Sequence, residues 1–239
     1  VTSPHHDRRP ARSVPELLAR ARCLLLDFDG PVCHLFHTRS AMSIATLLRT
    51  RLAERGAPVT DPGLLRGSDP HAILRAAPWP ELAAELEILL AEEEELAALG
   101  AEGTEYAEEF IQAVADSGRL LAMTTNNAPG AVRTYLKERR LDGCFGERIF
   151  GRDPVHPALM KPDPHCLRTA YTSLGIPPQD CLMIGDSAAD ERAADAAGVP
   201  FLGYLRVGDE AHRFGAGYRG PLVHGMKQLE AAARALRPL

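Results

Sequence analysis

Lysine is scarce in this sequence: of its 27 basic residues only Lys137, Lys161 and Lys227 are lysines, the rest being arginine. A lysine at a telling position therefore carries more information than usual. Cysteine is sparse and unpatterned as well. Cys23, Cys33, Cys144, Cys166 and Cys181 form no Cys-x-x-Cys pair and leave an odd one over, so neither a zinc site nor a disulfide framework is indicated and a reducing compartment fits best. No window holds the ~18–20 consecutive apolar residues that a membrane-spanning helix needs, and the polar, proline-containing opening residues carry no apolar signal core. The expected location is cytoplasmic, with no membrane partner. Positive charge is not in excess either: the formal net charge is −5, which argues against nucleic acid held by the overall field. Small-molecule chemistry is the better expectation.

What is present is ordinary globular material. A 45% hydrophobic and 25% charged composition excludes a disordered chain or a repeat array. At roughly 150 residues per domain, 239 residues make one to two domains, ample for one sizeable core.

Short apolar runs bounded by turn chemistry recur along the chain, as they do when strands are buried on both faces of a parallel sheet. The first covers 23–26 and ends in Asp27 and Asp29; others lie at 120–125, 148–151, 181–184 and 199–204. Helical patterns alternate with them at 105–117, 129–140, 164–175, 188–197 and 224–236, and a capped helix opens at Ser13. The predicted fold class is α/β, a doubly wound parallel sheet. Residues 35–104 break the alternation, with helical stretches at 40–54, 70–77 and 81–99 and no convincing strand. They are expected to form a small all-helical domain inserted after the first strand, beside a core of 13–34 and 105–239 and a flexible N-terminal tail over 1–12. The run Glu92 to Glu95 inside the insertion reads as a solvated helix face.

Ligands of open parallel sheets bind beyond the carboxyl ends of the strands. The polar residues there are Asp27, Asp29, Thr124, Thr125, Asn126, Asp186 and Asp190. Carboxylates crowded in this way need a cation, and a few hard oxygen ligands suit Mg²⁺ that also holds a substrate phosphate. Lys161, followed by Pro162, is the matching protein cation. Gly30 allows the tight backbone that lets the acidic side chains approach one metal.

Together, Leu26-Asp27-Phe28-Asp29-Gly30, Thr125-Asn126, Lys161-Pro162 and Ile184-Gly185-Asp186-Ser187 with Asp190 resemble the four ordered motifs of the haloacid dehalogenase-like hydrolase superfamily. The resemblance runs from about 22 to 204, and the helical insertion stands where the superfamily's phosphoglycolate phosphatase-like branch carries its alpha-helical cap. It implies a phosphatase acting on a small phosphorylated metabolite, with Asp27 as nucleophile and Asp29 as general acid and base. It also implies Thr125 and Lys161 on the phosphoryl group, and a Mg²⁺ site drawn from Asp27, Asp29 (through its backbone carbonyl), Asp186 and Asp190, Asp190 serving to orient Lys161 or a metal-bound water. Gly30, Asn126, Arg66 and His34 are the substrate- or phosphate-binding candidates, and a monomer or homodimer is expected.

Residues 31–36, Pro-Val-Cys-His-Leu-Phe, depart from the phosphatase pattern, so substrate entry is expected to differ. His37 and Arg39 share the cap-interface reading with His34 and Arg66. Trp79 reads as a cap-core aromatic and Cys33 as inert packing. A sugar phosphomutase is the runner-up, although Pro70 stands where those enzymes place an arginine; a silent binding scaffold and a phosphoacceptor receiver rank lower. Asp29 disfavours dehalogenation, and the lack of any lysine before Lys137 disfavours Schiff-base chemistry in the cap.

Overall fold

The computed structural model describes residues 13–207, 214 and 218–239; the expected tail over 1–12 lies outside the described residues. The strands are β1 (Cys23–Leu26), β2 (Cys33–His34), β3 (Glu102–Gly103), β4 (Leu120–Thr124), β5 (Ile149–Phe150), β6 (Cys181–Gly185), β7 (Phe201–Leu205) and β8 (Leu222–His224). Six of them form one sheet in the order β5-β4-β1-β6-β7-β8, every pair parallel. Parallel neighbours need crossovers, and α6 (Ala107–Asp116), α7 (Pro129–Glu138), α8 (Asp142–Phe145), α9 (His165–Leu174) and α10 (Ala188–Ala197) lie in them, while α1 (Val14–Arg20) precedes β1 and α11 (Met226–Arg234) follows β8. Between β2 and β3 lie α2 (Ala41–Glu54), α3 (Pro62–Arg66), α4 (Pro70–Arg75) and α5 (Pro80–Leu99).

The side-chain period of two sorts β1 onto both faces of the sheet. Leu24 and Leu26 pack with Phe110, Val132 and Leu182, whereas Cys23 and Leu25 pack with Leu167, Met183 and Ala194. The inserted helices have an apolar core of their own, built from Ile44, Leu48, Leu52, Ile73, Leu86 and Leu90. Only the C-terminal end of α5, at Ala97 and Ala98, joins the main core.

Two elements differ from the sequence pattern. Residues 222–224 form strand β8, where a helix was expected from 224; the helix starts only at Met226, after Gly225 turns the chain at φ 85°. Residues 102–103, inside the stretch read as strand-free, pair antiparallel with β2, Cys33 opposite Gly103 and His34 opposite Glu102. Two-residue strands are too short to show a periodicity. Among the described residues, no helix is long and apolar enough to cross a membrane.

Register positions the chemistry. Leu26 lies opposite Met123 and Ile184, and the Asp27 amide donates to the Ile184 carbonyl at 3.0 Å. The chain therefore leaves β1, β4 and β6 close together, with Asp27 one residue past the level of Leu26 and Thr125 and Asp186 two residues past it.

The start of β4 is tied down by buried Arg119, whose guanidinium donates to the carbonyls of Leu18, Ala19, Ala21 and Arg237 and to Ser117 Oγ at 3.0–3.2 Å. Arg119→Met strands these acceptors and is expected to lower stability by about 3 kcal/mol. Urea unfolding checks it: a lower midpoint at unchanged slope is the expected outcome, and a midpoint at the wild-type value contradicts the role.

Candidate active site

Asp27 and Asp29 sit on the turn that leaves β1, and Gly30 completes it at φ 112°. A Cβ on Gly30 would stand 2.4 Å from Asp186 Oδ2. Glycine is thus required on two counts, the backbone angle and the closeness of a carboxylate. Asp29 Oδ1 accepts from the Leu35 amide at 3.0 Å, which fixes the start of the segment leading to the inserted helices.

Lys161 enters from the loop before α9, and its ammonium is buried among oxygens. It lies 2.8 Å from Asp27 Oδ1 and 2.5 Å from Asp190 Oδ1, and donates to the Thr124 carbonyl at 2.8 Å. Burial alone would lower its pKa, but Asp190 and Asp27 outweigh that and hold it above the ordinary lysine value. For Asp27 the balance is reversed: burial, seconded by the charge of Asp190, raises its carboxyl to about 6 in spite of Lys161. Asp190 is held in the first turn of α10 by a capping box with Ser187, whose amide and hydroxyl donate to Asp190 Oδ2 at 3.1 and 2.6 Å.

Asp27, Asp186 and Asp190 each offer an oxygen within 4.8 Å of the others. This all-oxygen set, with the Asp186 carboxylate cradled against Gly30, fits a hard divalent cation such as Mg²⁺. The Asp29 side chain stands outside that group. Both oxygens of Asp190 are already engaged, one by Lys161 and the other by Ser187.

Of the two threonines, Thr125 faces the cavity and Thr124 does not. Thr125 Oγ1 donates to Asn127 Oδ1 at 2.9 Å and accepts from the Asn127 amide at 3.2 Å, whereas Thr124, wholly buried, points its hydroxyl at Met183. Asn126 clips this turn to the lysine loop, accepting from the Lys161 amide at 2.7 Å and donating to the Lys161 carbonyl at 3.1 Å. A cavity of about 450 Å³ brings together Asp27, Asp29, Gly30, Thr125, Asn126, Lys161, Asp186 and Asp190, roofed by Ser68, Asp69, Pro70 and His71.

The cap-side expectations fare differently. Arg66 is exposed at the end of α3 and lies outside the cavity lining, because α3 ends one turn before the segment that turns inward. His34 lines a neighbouring cavity of about 660 Å³ and meets the guanidinium of Arg206, which borders both cavities. His37 faces Glu102 at 3.4 Å and Arg39 pairs with Glu93. Trp79 is 42% exposed, bordering a surface cavity with Leu52 and Val59 and not forming a cap core. Cys33 is fully buried, and burial pushes its thiol well above the ordinary value, in keeping with inert packing.

The Glu92–Glu95 run needs correction. Glu92 and Glu95 are exposed, but Glu94 is 0% exposed. With Glu87, two helical turns earlier on the same face of α5, it brackets Arg152: the guanidinium donates to Glu87 at 2.6 and 3.0 Å and to Glu94 at 3.1 and 3.0 Å. Arg152, Glu94, Glu87, His71 and Asn127 are the residues that reading the sequence missed. The available signal was the seven-residue spacing of Glu87 and Glu94 along the Leu86–Leu90 stripe. Burial opposes ionisation of Glu94, yet Arg152 and His71 prevail and lower its carboxyl to about 2.

A family model for haloacid dehalogenase-like hydrolases matches residues 21–198. Among curated proteins the chain is similar to a phosphoglycolate phosphatase of Rhodospirillum rubrum, 37% identical over 101 residues, which is 41% of this chain and 41% of that one. It is also similar to phosphoglycolate phosphatase 1 of Pseudomonas aeruginosa, 39% identical over 83 residues, 35% of this chain and 29% of that one. The matches thus span 41% and 29% of these relatives. A HAD family hydrolase of Deinococcus radiodurans R1, solved with bound phosphate and sodium, superposes with a TM-score of 0.57 at 28% identity over 92% of this chain and 100% of that chain. CbbY of Rhodobacter sphaeroides, solved with phosphate, shares the fold: TM-score 0.61 at 21% identity over 85% of this chain and 93% of that chain.

The Glu94 geometry sets an acid limit on stability. Its folded value of about 2 lies below the ordinary 4.5, so the unfolded chain takes up the proton first as the pH falls. The contribution, on the order of 3 kcal/mol, is complete above about pH 4.5 and lost as the pH drops from there toward 2. Urea unfolding of wild type and Glu94→Gln across that window checks it. The wild type should lose stability more steeply, and equal slopes would refute the assignment.

Proposed function

Because the chain belongs to the haloacid dehalogenase-like hydrolases, we propose that it is a Mg²⁺-dependent phosphatase that hydrolyses a small phosphate monoester through an aspartyl-phosphate on Asp27. The observation that carries this reading is the buried contact of Lys161 with Asp27 at the end of β1, beside Asp186 and under a cap-roofed cavity. In the first step an Asp27 oxygen attacks phosphorus, the ester P–O bond breaks, and Asp29 gives its proton to the leaving oxygen. In the second, water attacks the phosphorus, Asp29 takes the water's proton, and the Asp27–phosphorus bond breaks to release inorganic phosphate. Thr125 donates to the phosphoryl oxygens and Lys161 balances their charge. Asp27, Asp186 and the Asp29 carbonyl would hold Mg²⁺, which would supply further neutralisation of the transferring group. Asp190 lies within reach of the same cation, but its engaged oxygens make it the group that holds Lys161 in place.

The roof over Asp27 selects a small, freely diffusing phosphorylated metabolite and keeps bulk water from the acyl-phosphate. A phosphomutase would need a second cation on the cap side for its second phosphate. The cap contributes Phe36, Ala41, Ser68, Asp69, Pro70 and His71 to the cavity lining and no arginine, Arg206 entering from the core just after β7, which favours hydrolysis. The soluble, diffusible substrate suits a cytoplasmic enzyme.

The test is a panel of small phosphate esters, 2-phosphoglycolate among them, assayed with and without Mg²⁺. Phosphate release should require Mg²⁺ and fall about a thousandfold or more in Asp27→Asn and Asp29→Asn. A wild type inert toward every ester, or an Asp27→Asn variant with full turnover, would sink the proposal.

A further inference from the structure

Outside the Asp27 site, buried charge converges on Glu94. Its Oε1 lies 2.9 Å from His71 Nε2 and accepts from Asn127 Nδ2 at 3.0 Å and Arg152 Nη1 at 3.1 Å; its Oε2 accepts from the Ala128 amide at 2.8 Å and Arg152 Nη2 at 3.0 Å. These partners come from three places: the first turn of α4, the turn between β4 and α7, and the residue two beyond β5. Two of the three border the cavity. His71 belongs to the roof, and Asn127 holds Thr125 through two hydrogen bonds. Arg152 reaches the same turn again, donating to the Asn126 carbonyl at 2.7 Å.

We propose that Glu94 is a positioning residue for phosphoryl transfer: one buried carboxylate holds the Thr125–Ala128 turn of the core and the Ser68–His71 turn of the cap in a single geometry. This rests on the phosphatase reading above and deepens it. Glu94 lies outside the cavity lining; it acts through Asn127 on Thr125 and through His71 on the roof. Its carboxylate at the N-terminus of α7 is favoured by the helix dipole, and a fully partnered polar network in a dry interior specifies one arrangement of its members. The interface leaves no slack. A Cβ on Gly130 in the first turn of α7 would stand 1.9 Å from Glu95 Oε1, so α5 lies directly against the helix that follows the Thr125 turn. A cap that moved as one rigid body away from the core would have to break Glu94 and Glu87 from Arg152.

Glu87 provides the control. Among the described residues its hydrogen bonds go to Arg152 alone, at 2.6 and 3.0 Å, so Glu87→Gln and Glu94→Gln each remove one charge from the same guanidinium, but only the second loosens the turns. The experiment compares the two variants in p-nitrophenyl phosphate hydrolysis with Mg²⁺, in thermal unfolding, and in backbone hydrogen exchange at Asn127 and Ala128. Both are expected to unfold at lower temperature. Only Glu94→Gln should lower kcat, by about ten- to a hundredfold with KM changed less than about threefold, and only it should speed exchange at the two amides. Asn127→Ala, which cuts the link to Thr125 and leaves Glu94 on Arg152, should show the same kcat loss and add little to Glu94→Gln in the double variant; it carries the test if Glu94→Gln does not fold. Wild-type kcat in Glu94→Gln, or in Asn127→Ala, overturns the proposal, as does an equal kcat loss in Glu87→Gln. If the wild type hydrolyses no ester, the phosphatase reading fails separately and exchange decides: unchanged exchange at Asn127 and Ala128 in Glu94→Gln overturns the positioning role.

Discussion

The ammonium of Lys161 between Asp27 and Asp190 is the contact on which the site depends. Parallel strands in register bring the turns that carry Asp27 and Asp186 together, and the capping box of α10 adds Asp190. Three carboxylates so close together would repel, and each has lost much of its water. Lys161 offsets part of that cost, yet Asp27 still lies near pKa 6. The protein cation alone leaves the cluster short of positive charge, which is the electrostatic reason a divalent cation suits it.

A second buried cation–carboxylate network, built on a guanidinium, sits at the level of the cap. Arg152 with Glu87 and Glu94 is as dry as Lys161 with Asp190, and the two networks meet at the Thr125 turn: Asn126 binds the Lys161 backbone, while Asn127 binds Glu94. The four residues from Thr125 to Ala128 are thereby held from both sides. Replacing such a charge by a neutral group leaves its partner stranded, so the geometry is strongly enforced even where the net stabilisation is small.

The sheet was legible because its strands are buried on both faces and read as unbroken apolar runs, and three of the four site motifs stand directly after those runs, Lys161 coming instead from the loop before α9. Strand β8 and the β2–β3 ribbon were not, being two or three residues long. Thr125 and not Thr124 meets the cavity, because the strand's alternation of faces turns the Thr124 hydroxyl onto Met183. Arg66 and Glu94 show where local reading ends. An arginine near a glycine-rich cap turn looks like an anion ligand until the end of α3 is found to leave it in solvent. Four consecutive glutamates look like a solvated face until the phase of α5 turns one of them inward. Glu94's partner Arg152 is 58 positions away, and no window along the chain contains both.

The most direct test of the central assignment, Asp27 as the residue that carries the phosphoryl group, is chemical trapping during turnover. The protein is mixed with Mg²⁺ and its best ester, quenched with borohydride, which reduces an acyl-phosphate to the alcohol, and digested for peptide mass analysis. The expected result is homoserine at position 27 in a substrate-dependent fraction of the chains, with Asp29, Asp186 and Asp190 unchanged. Reduction at another carboxylate, or intact Asp27 throughout rapid turnover with no reducible species at any time, would contradict it.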